Sequence, residues 1–547
     1  MGTIRGVALW AILLAAASAA QEHQHGSAAE KLGTVSFATS CSAPAQAQFN
    51  RSVALLHSFQ FLPAITAFNA TLSTDPNCAM AYWGIALSNW GNPMAQGLKP
   101  ASQQQQGSQA IARAQAVGAK TAREKAYIGA VGALYNNFEH TPQRARVLAY
   151  RNAMADVAAA YPEDQEAAIF YALSLAAAAD PADKTYADQL KAGAILEKIF
   201  QQQPDHPGLA HYIIHTYDVP PLAGRALAAA RRYSQIAPSA PHALHMPSHT
   251  YTRVGYWQDS VDSNLAAGAA AKREGQVGEE LHTMDYRMYA YLQMGRDAEA
   301  KGVLEALPEV WSRLDPGQTL SGAASPSAGA FASAAIAARW ALERRDWAAA
   351  AKLELHPSPY PYVDAITWFA RGLGAARLGD SAGTQAAAAA LRQLGAQLQK
   401  GGEPYWAQQV DIQQRLVAAW GDFAAGHRDQ ALLALRAAVD MEDSTEKSAV
   451  TPGPILPARE LLGEMLLEQK QPAEALAQFE ATLKKEPNRF HALYGAAHAA
   501  QLAGDGPRAQ RYYADLLKVC TLADRPGRAE LAEARKMLVG EGERASQ

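Results

Sequence analysis

From Gln48 to Pro76 the pattern of apolar, small and polar positions reads as two packed helices. Ser52 and Ala64 are small where the helices cross, Phe68 fills the space beside them, and Asp75-Pro76 ends the second. A second unit begins at once, with Ala81-Tyr82-Trp83-Gly84-Ile85-Ala86-Leu87 in its first helix and Trp90 further along the same segment. Gly295 with Ala300, Gly379-Asp380, Pro487 and Gly504 punctuate later stretches in the same way. Residues 91–125 form a Pro-, Gly- and Gln-rich interruption. Gly317 to Gly329 is rich in Gly, Ser and Pro and separates two halves of the chain. Asp440 to Pro457 interrupts again, because Thr451-Pro452-Gly453-Pro454 cannot be helical throughout.

One pattern is written twice. His211-Tyr212-Ile213-Ile214-His215 returns as His245-Met246-Pro247-Ser248-His249, each histidine displaced by 34 residues. Tyr217 maps to Tyr251, Ala226 to Ser260 and Pro204 to Pro238 by the same step. A third unit follows at a step of 40, relating His242 to His282 and His245 to Asp285.

In period and punctuation the chain resembles the tetratricopeptide repeat family over most of residues 45–525. The resemblance implies an all-α, TPR-like α-solenoid of about a dozen antiparallel helix pairs, in one array or in two halves. The expected divisions are an N-terminal array at 41–316, a break at 317–330, a C-terminal array at 331–535 and a tail at 536–547. In such arrays the first helix of each pair lines the concave side, which assigns His211, His215, His245 and His249 to first helices and a protein or peptide partner to the groove. Repeat scaffolds serve many tasks, so the architecture is nearly silent about chemistry.

Histidines four apart share one helix face, and equivalent faces of neighbouring helices stand roughly 8–10 Å apart. His211, His215, His242, His245, His249, His282 and Asp285 are therefore expected on one strip of groove, with Tyr289 and Tyr212 beside them. Imidazole nitrogens with one carboxylate suit zinc, read first, or copper. The competing reading is a groove whose histidines hydrogen-bond a peptide and were copied by duplication. Pro247 is expected to kink a helix that starts near Pro241, or else the helix begins near Met246. Asp218, Arg253 and Asp259 are candidates for orienting an imidazole, or for plain salt bridges between repeats. Trp257 and Tyr256 read as core, and Trp83, Trp90, Trp368 and Phe369 read as core first, with stacking surfaces for a peptide or sugar as the alternative.

The chain has no Walker loop, dinucleotide fingerprint, Gly-x-Ser-x-Gly elbow or His-Glu-x-x-His helix. A metal-dependent hydrolase would need Asp285, Glu279 or Glu280 as its base. No catalytic residue is assigned, and a metal-free interaction scaffold and a metal-dependent enzyme stand as alternatives.

With 49% apolar residues and abundant alanine, the composition favours closely packed helices over sheet. A formal charge of -3 offers no basic field for a phosphate backbone, so no nucleic-acid partner is expected. Residues 1–20 read as an export signal: Arg5, the apolar run Val7 to Ala17, then small residues for cleavage. Residues 21–40 read as a flexible lead-in. A periplasmic or secreted product with no membrane span in the mature chain is expected. There the two cysteines Cys41 and Cys78, each preceding the first helix of a unit, are the candidate disulfide, with two free thiols as the alternative.

Overall fold

The computed structural model describes residues 30–542 except 316 and 319, together with Gly2. The expected signal at 1–20, most of the lead-in and the last five residues lie outside the described residues. Those described are helical throughout their ordered elements, with no strand, and form the expected TPR-like all-α solenoid of antiparallel helix pairs. No described helix is long and apolar enough to cross a membrane.

The helices approach closely because one side of each contact is small. A Cβ on Gly84 would fall 2.2 Å from the Phe68 ring, so helix Ala79–Trp90 can lie on helix Phe61–Thr74 only without a side chain there. Between the two helices of a pair, Gly295, Gly379 and Gly504 turn the chain at φ of 66°, 76° and 78°, in the left-handed region that glycine adopts most cheaply. Asp380 and Asp505 then cap the following helices by accepting from the backbone N–H of Gly383 and Arg508.

The array coils tightly enough to fill its own inner face. Helix Ala43–His57 packs on Ala79–Trp90 and also on Pro207–Thr216, far along the chain. Phe59, in the turn after the first of these, enters the interior, as does the irregular stretch that carries Lys447 and Thr451. The inner face expected to form an open peptide groove around the histidines is thus occupied by the chain itself.

Residues 30–40, read from the sequence as part of a flexible lead-in, are laid in an extended path with Leu32, Val35 and Phe37 buried. Phe37 inserts among Phe49, Trp83, Tyr127 and Phe170, and the Thr34 N–H donates to the Asp205 carbonyl. A disulfide joins Cys41 to Cys78, with Cα atoms 4.9 Å apart, tying the first helix pair to the second.

Across the Gly- and Ser-rich connection, helix Val277–Gln293 packs directly on helix Pro326–Leu342. A Cβ on Gly329 would meet the Gly278 Cα at 3.4 Å, so two glycines permit that approach. Trp83, Trp90, Trp257 and Phe369 are buried core, and Trp368 packs against the C-terminal core. Tyr256 departs from expectation: it is 42% exposed at the start of helix Trp257–Arg273.

Candidate metal centre

Three elements supply the histidines. Helix Pro207–Thr216 carries His211 and His215 one turn apart. The next first-helix position is split: Pro241–His245 and Pro247–Arg253 are separate segments that meet at Met246. Met246 still donates its N–H to the His242 carbonyl at 2.9 Å, but Pro247 has no N–H to continue the ladder. The helix therefore starts at Pro241 and breaks within the motif, the first of the two expected arrangements. Helix Val277–Gln293 carries His282.

These elements divide the histidines into two sets of three rather than one strip. In each set, His211 with His215 and His242, then His245 with His249 and His282, the potential ligand nitrogens lie within 4.8 Å of one another. None of the six residues exposes more than 6% of its surface.

Hydrogen bonding settles which nitrogen faces inward. His211 Nδ1 lies 2.6 Å from the His57 carbonyl oxygen, which can only accept, so Nδ1 carries the proton and Nε2 the lone pair. His242 Nδ1 donates likewise to Glu279 Oε1 at 2.9 Å. The Nε2 atoms of His211, His215 and His242 are all buried without a hydrogen-bond partner. Three converging ring nitrogens left unpaired in an apolar interior are costly unless something binds them.

In the second set two of the three rings are tied from outside in the same way, and the buried nitrogen of His282 without a partner is Nδ1. His245 Nδ1 lies 2.7 Å from Asn264 Oδ1, and the Asn264 amide donates to the Ser260 carbonyl, which fixes Oδ1 as the acceptor. His249 Nδ1 donates to Asp218 Oδ2 at 2.9 Å. Both rings then present Nε2 lone pairs, and these two atoms are 3.0 Å apart. Two acceptors at that distance repel, and a cation between them removes the repulsion. Tetrahedral sites with Zn–N of about 2.0–2.1 Å bring ligand nitrogens to about 3.3 Å, so small side-chain rotations complete either set.

Burial is the main cause that pushes His211, His215 and His245 well below the ordinary histidine value, with neighbouring imidazoles adding to it. His249 is lowered to about 4 and His282 to about 3, again chiefly by burial. Neutral rings are the form that binds a metal. Asp218 stays ionised despite burial, because Lys447 and Arg253 hold its carboxyl well below the usual range.

Asp285 does not join either set. Its Oδ1 accepts from Arg339 Nε at 2.8 Å, and burial raises its carboxyl above the ordinary value. A buried guanidinium, also bonded to Thr451 and the Gly453 and Pro454 carbonyls, claims that carboxylate. Tyr289 is also elsewhere, donating to Glu486, whereas Tyr286 is the tyrosine at the second set, with its hydroxyl 3.3 Å from both ring nitrogens of His249. Glu279 is engaged by His242 and Glu280 by Arg313 Nη2 at 2.8 Å, so neither stands free as a base. Asp218 and Arg253 both belong to the surroundings of the site, while Asp259 is exposed.

A third buried cluster had no signal in the repeat. Glu166 accepts from His57 Nε2 and His206 Nε2, both at 3.0 Å, and His57 Nδ1 meets the Tyr212 hydroxyl at 2.9 Å. Both His57 nitrogens are satisfied within the protein. This network holds the His57 main chain where its carbonyl orients His211. Phe59 closes the first set from the same side, its ring edge-on to His211 at 4.3 Å and stacked on His215 at 5.6 Å.

Fold and site together define a class: a TPR-like helical solenoid with a polyhistidine centre enclosed in its coil. No family model matches the chain, and no curated protein matches it. Among solved structures it is similar to the human IFIT1 dimer with m7Gppp-AAAA at 10% identity, covering 81% of this chain and 90% of that one with a TM-score of 0.36. It is similar also to the human IFIT1 dimer with PPP-AAAA at 9% identity, covering 86% and 94% with a TM-score of 0.38.

Proposed function

We propose that this chain is an exported helical-repeat protein that binds transition metal through two sets of three histidines, His211, His215 and His242, and His245, His249 and His282. The observation that carries the reading is the set of three buried, unpartnered Nε2 atoms turned toward one another, with the opposite nitrogens of His211 and His242 tied to acceptors. Such outer acceptors are how protein sites fix the tautomer and direction of a ligating imidazole. All-nitrogen, three-imidazole sets suit zinc or copper. The exported location is supported by the basic, apolar and small-residue run at 1–20 and by the Cys41–Cys78 bridge, which suits an oxidising compartment. A binding role in this setting places the metal inside the scaffold rather than in an open groove.

Elemental analysis of the mature chain purified without chelator tests the reading. Stoichiometric zinc or copper is expected, lost in the variant with alanine at His211, His215, His245 and His249. Metal retained at full stoichiometry in that folded variant overturns the assignment.

A further inference from the structure

Resting on that metal reading, we propose that the two histidine sets are halves of one binuclear centre, which holds two ions with a small inorganic anion bridging them. The first argument is spacing. Within the sets, ring centroids are 4.8, 5.0 and 6.1 Å apart for His211–His215, His211–His242 and His215–His242. They are 5.0, 4.5 and 6.3 Å apart for His245–His249, His245–His282 and His249–His282. Between the sets, His242–His245 and His215–His249 are both 5.7 Å apart. The division between sets is no wider than the spacing inside them. The broken element at Met246 produces this, since His242 serves one set while His245 and His249 serve the other. The two sets therefore adjoin, and ions held in them would be neighbours, the arrangement that a bridging ligand joins in two-metal sites.

The second argument is charge. Metal-bound imidazoles are neutral, so the ligands offset nothing. The nearest carboxylates are Glu279 on His242 and Asp218 on His249, but Asp218 already faces Lys447 at 2.8 Å and Arg253 at 2.8 Å. Asp285 is taken by Arg339. The fixed charges around the six rings therefore cancel, and two divalent ions would leave a large positive charge in a buried volume, which is unfavourable. A bridging anion lowers that charge and supplies the further ligand that a three-histidine site leaves open.

The third is access. A cleft of about 90 Å³ is lined by Arg253, Lys447 and Thr451 among others. The Tyr286 hydroxyl stands between it and the second set, 3.3 Å from the Thr451 carbonyl and 3.3 Å from the His249 nitrogens. Glu442, Glu446, Glu486 and Lys485 line the same cleft, so its own charges balance, and what it offers a small anion, of the size of hydroxide or azide, is a path to the Tyr286 hydroxyl.

The test loads the full mature chain with Cu(II) and compares copper bound with the integrated electron paramagnetic resonance signal, with and without azide. Two coppers per chain, a signal accounting for less than half of them, and one azide per copper pair are expected, because bridged Cu(II) ions couple their spins. His282→Ala should bind one copper with full signal, and His211→Ala, which breaks the other set, should do the same. Two coppers with full additive signal, or one azide per copper, overturns the pairing and leaves the metal reading standing. One copper per wild-type chain also overturns the pairing. No copper bound overturns the metal reading with it. The wild-type measurement decides even where a variant fails to fold.

Discussion

The proton on His211 Nδ1 has one acceptor, the His57 carbonyl, and that single bond turns Nε2 toward its neighbours. The same logic makes Asn264 a positioning residue for His245. Asn264→Leu removes the acceptor and frees the ring to take the other tautomer. Metal affinity should fall about 10- to 100-fold, as for other outer partners of ligating histidines, read by competition with a chromophoric chelator. Asp285 gives the opposite contrast, because it serves Arg339 and not the metal. Asp285→Asn should leave metal content unchanged while lowering stability by about 3–5 kcal/mol in denaturant unfolding, the usual cost of breaking a buried pair. Spacing along the chain located all six histidines, since a repeat copies side chains in register. It misplaced Asp285 because register does not say which buried cation will claim a carboxylate. It also could not show His57, Asn264 or Tyr286, whose roles depend on elements that meet only in the coil.

At the scale of elements, the first-helix pattern was legible because small residues and turn glycines leave a regular mark on the chain. Gly84 shows how closely the pattern tracks packing. Gly84→Val drives a side chain into Phe68 between two helices and should destabilise the protein by about 1–3 kcal/mol, measured as a lowered denaturation midpoint with metal content retained. Pro247 was legible as a break but its consequence was not: the broken element divides its histidines between two sets, whereas the repeat register suggested a single strip. Residues 30–40 show the converse. Their polar composition hid Leu32, Val35 and Phe37, three apolar residues whose buried sites are built by distant parts of the chain, Phe170 and Asp205 among them.

For the whole molecule, the coil turns a repeat groove into an interior, and that burial governs how the protein responds to acid. His249 and His282 are held at about 4 and about 3 by burial, against an ordinary value of 6.5. Between these values the unfolded chain binds protons that the folded chain does not, so stability rises with pH across that window. Their contribution is complete above about 6.5 and is lost as pH falls toward 4 and 3. Chelator-treated protein should therefore show a melting temperature that declines steadily below pH 6.5, and metal should leave over the same range, since ligation needs neutral rings. The fold class could be read from period and composition, but closure of the coil could not, because it arises from a contact between helices Ala43–His57 and Pro207–Thr216 that no local pattern encodes. The most direct test of a metal centre built from these imidazoles is X-ray absorption fine structure on the metal-loaded chain. The expected spectrum has nitrogen neighbours at about 2.0–2.1 Å, with the outer-shell pattern of about three imidazoles per ion. A coordination sphere dominated by oxygen, with no imidazole scattering, would contradict it.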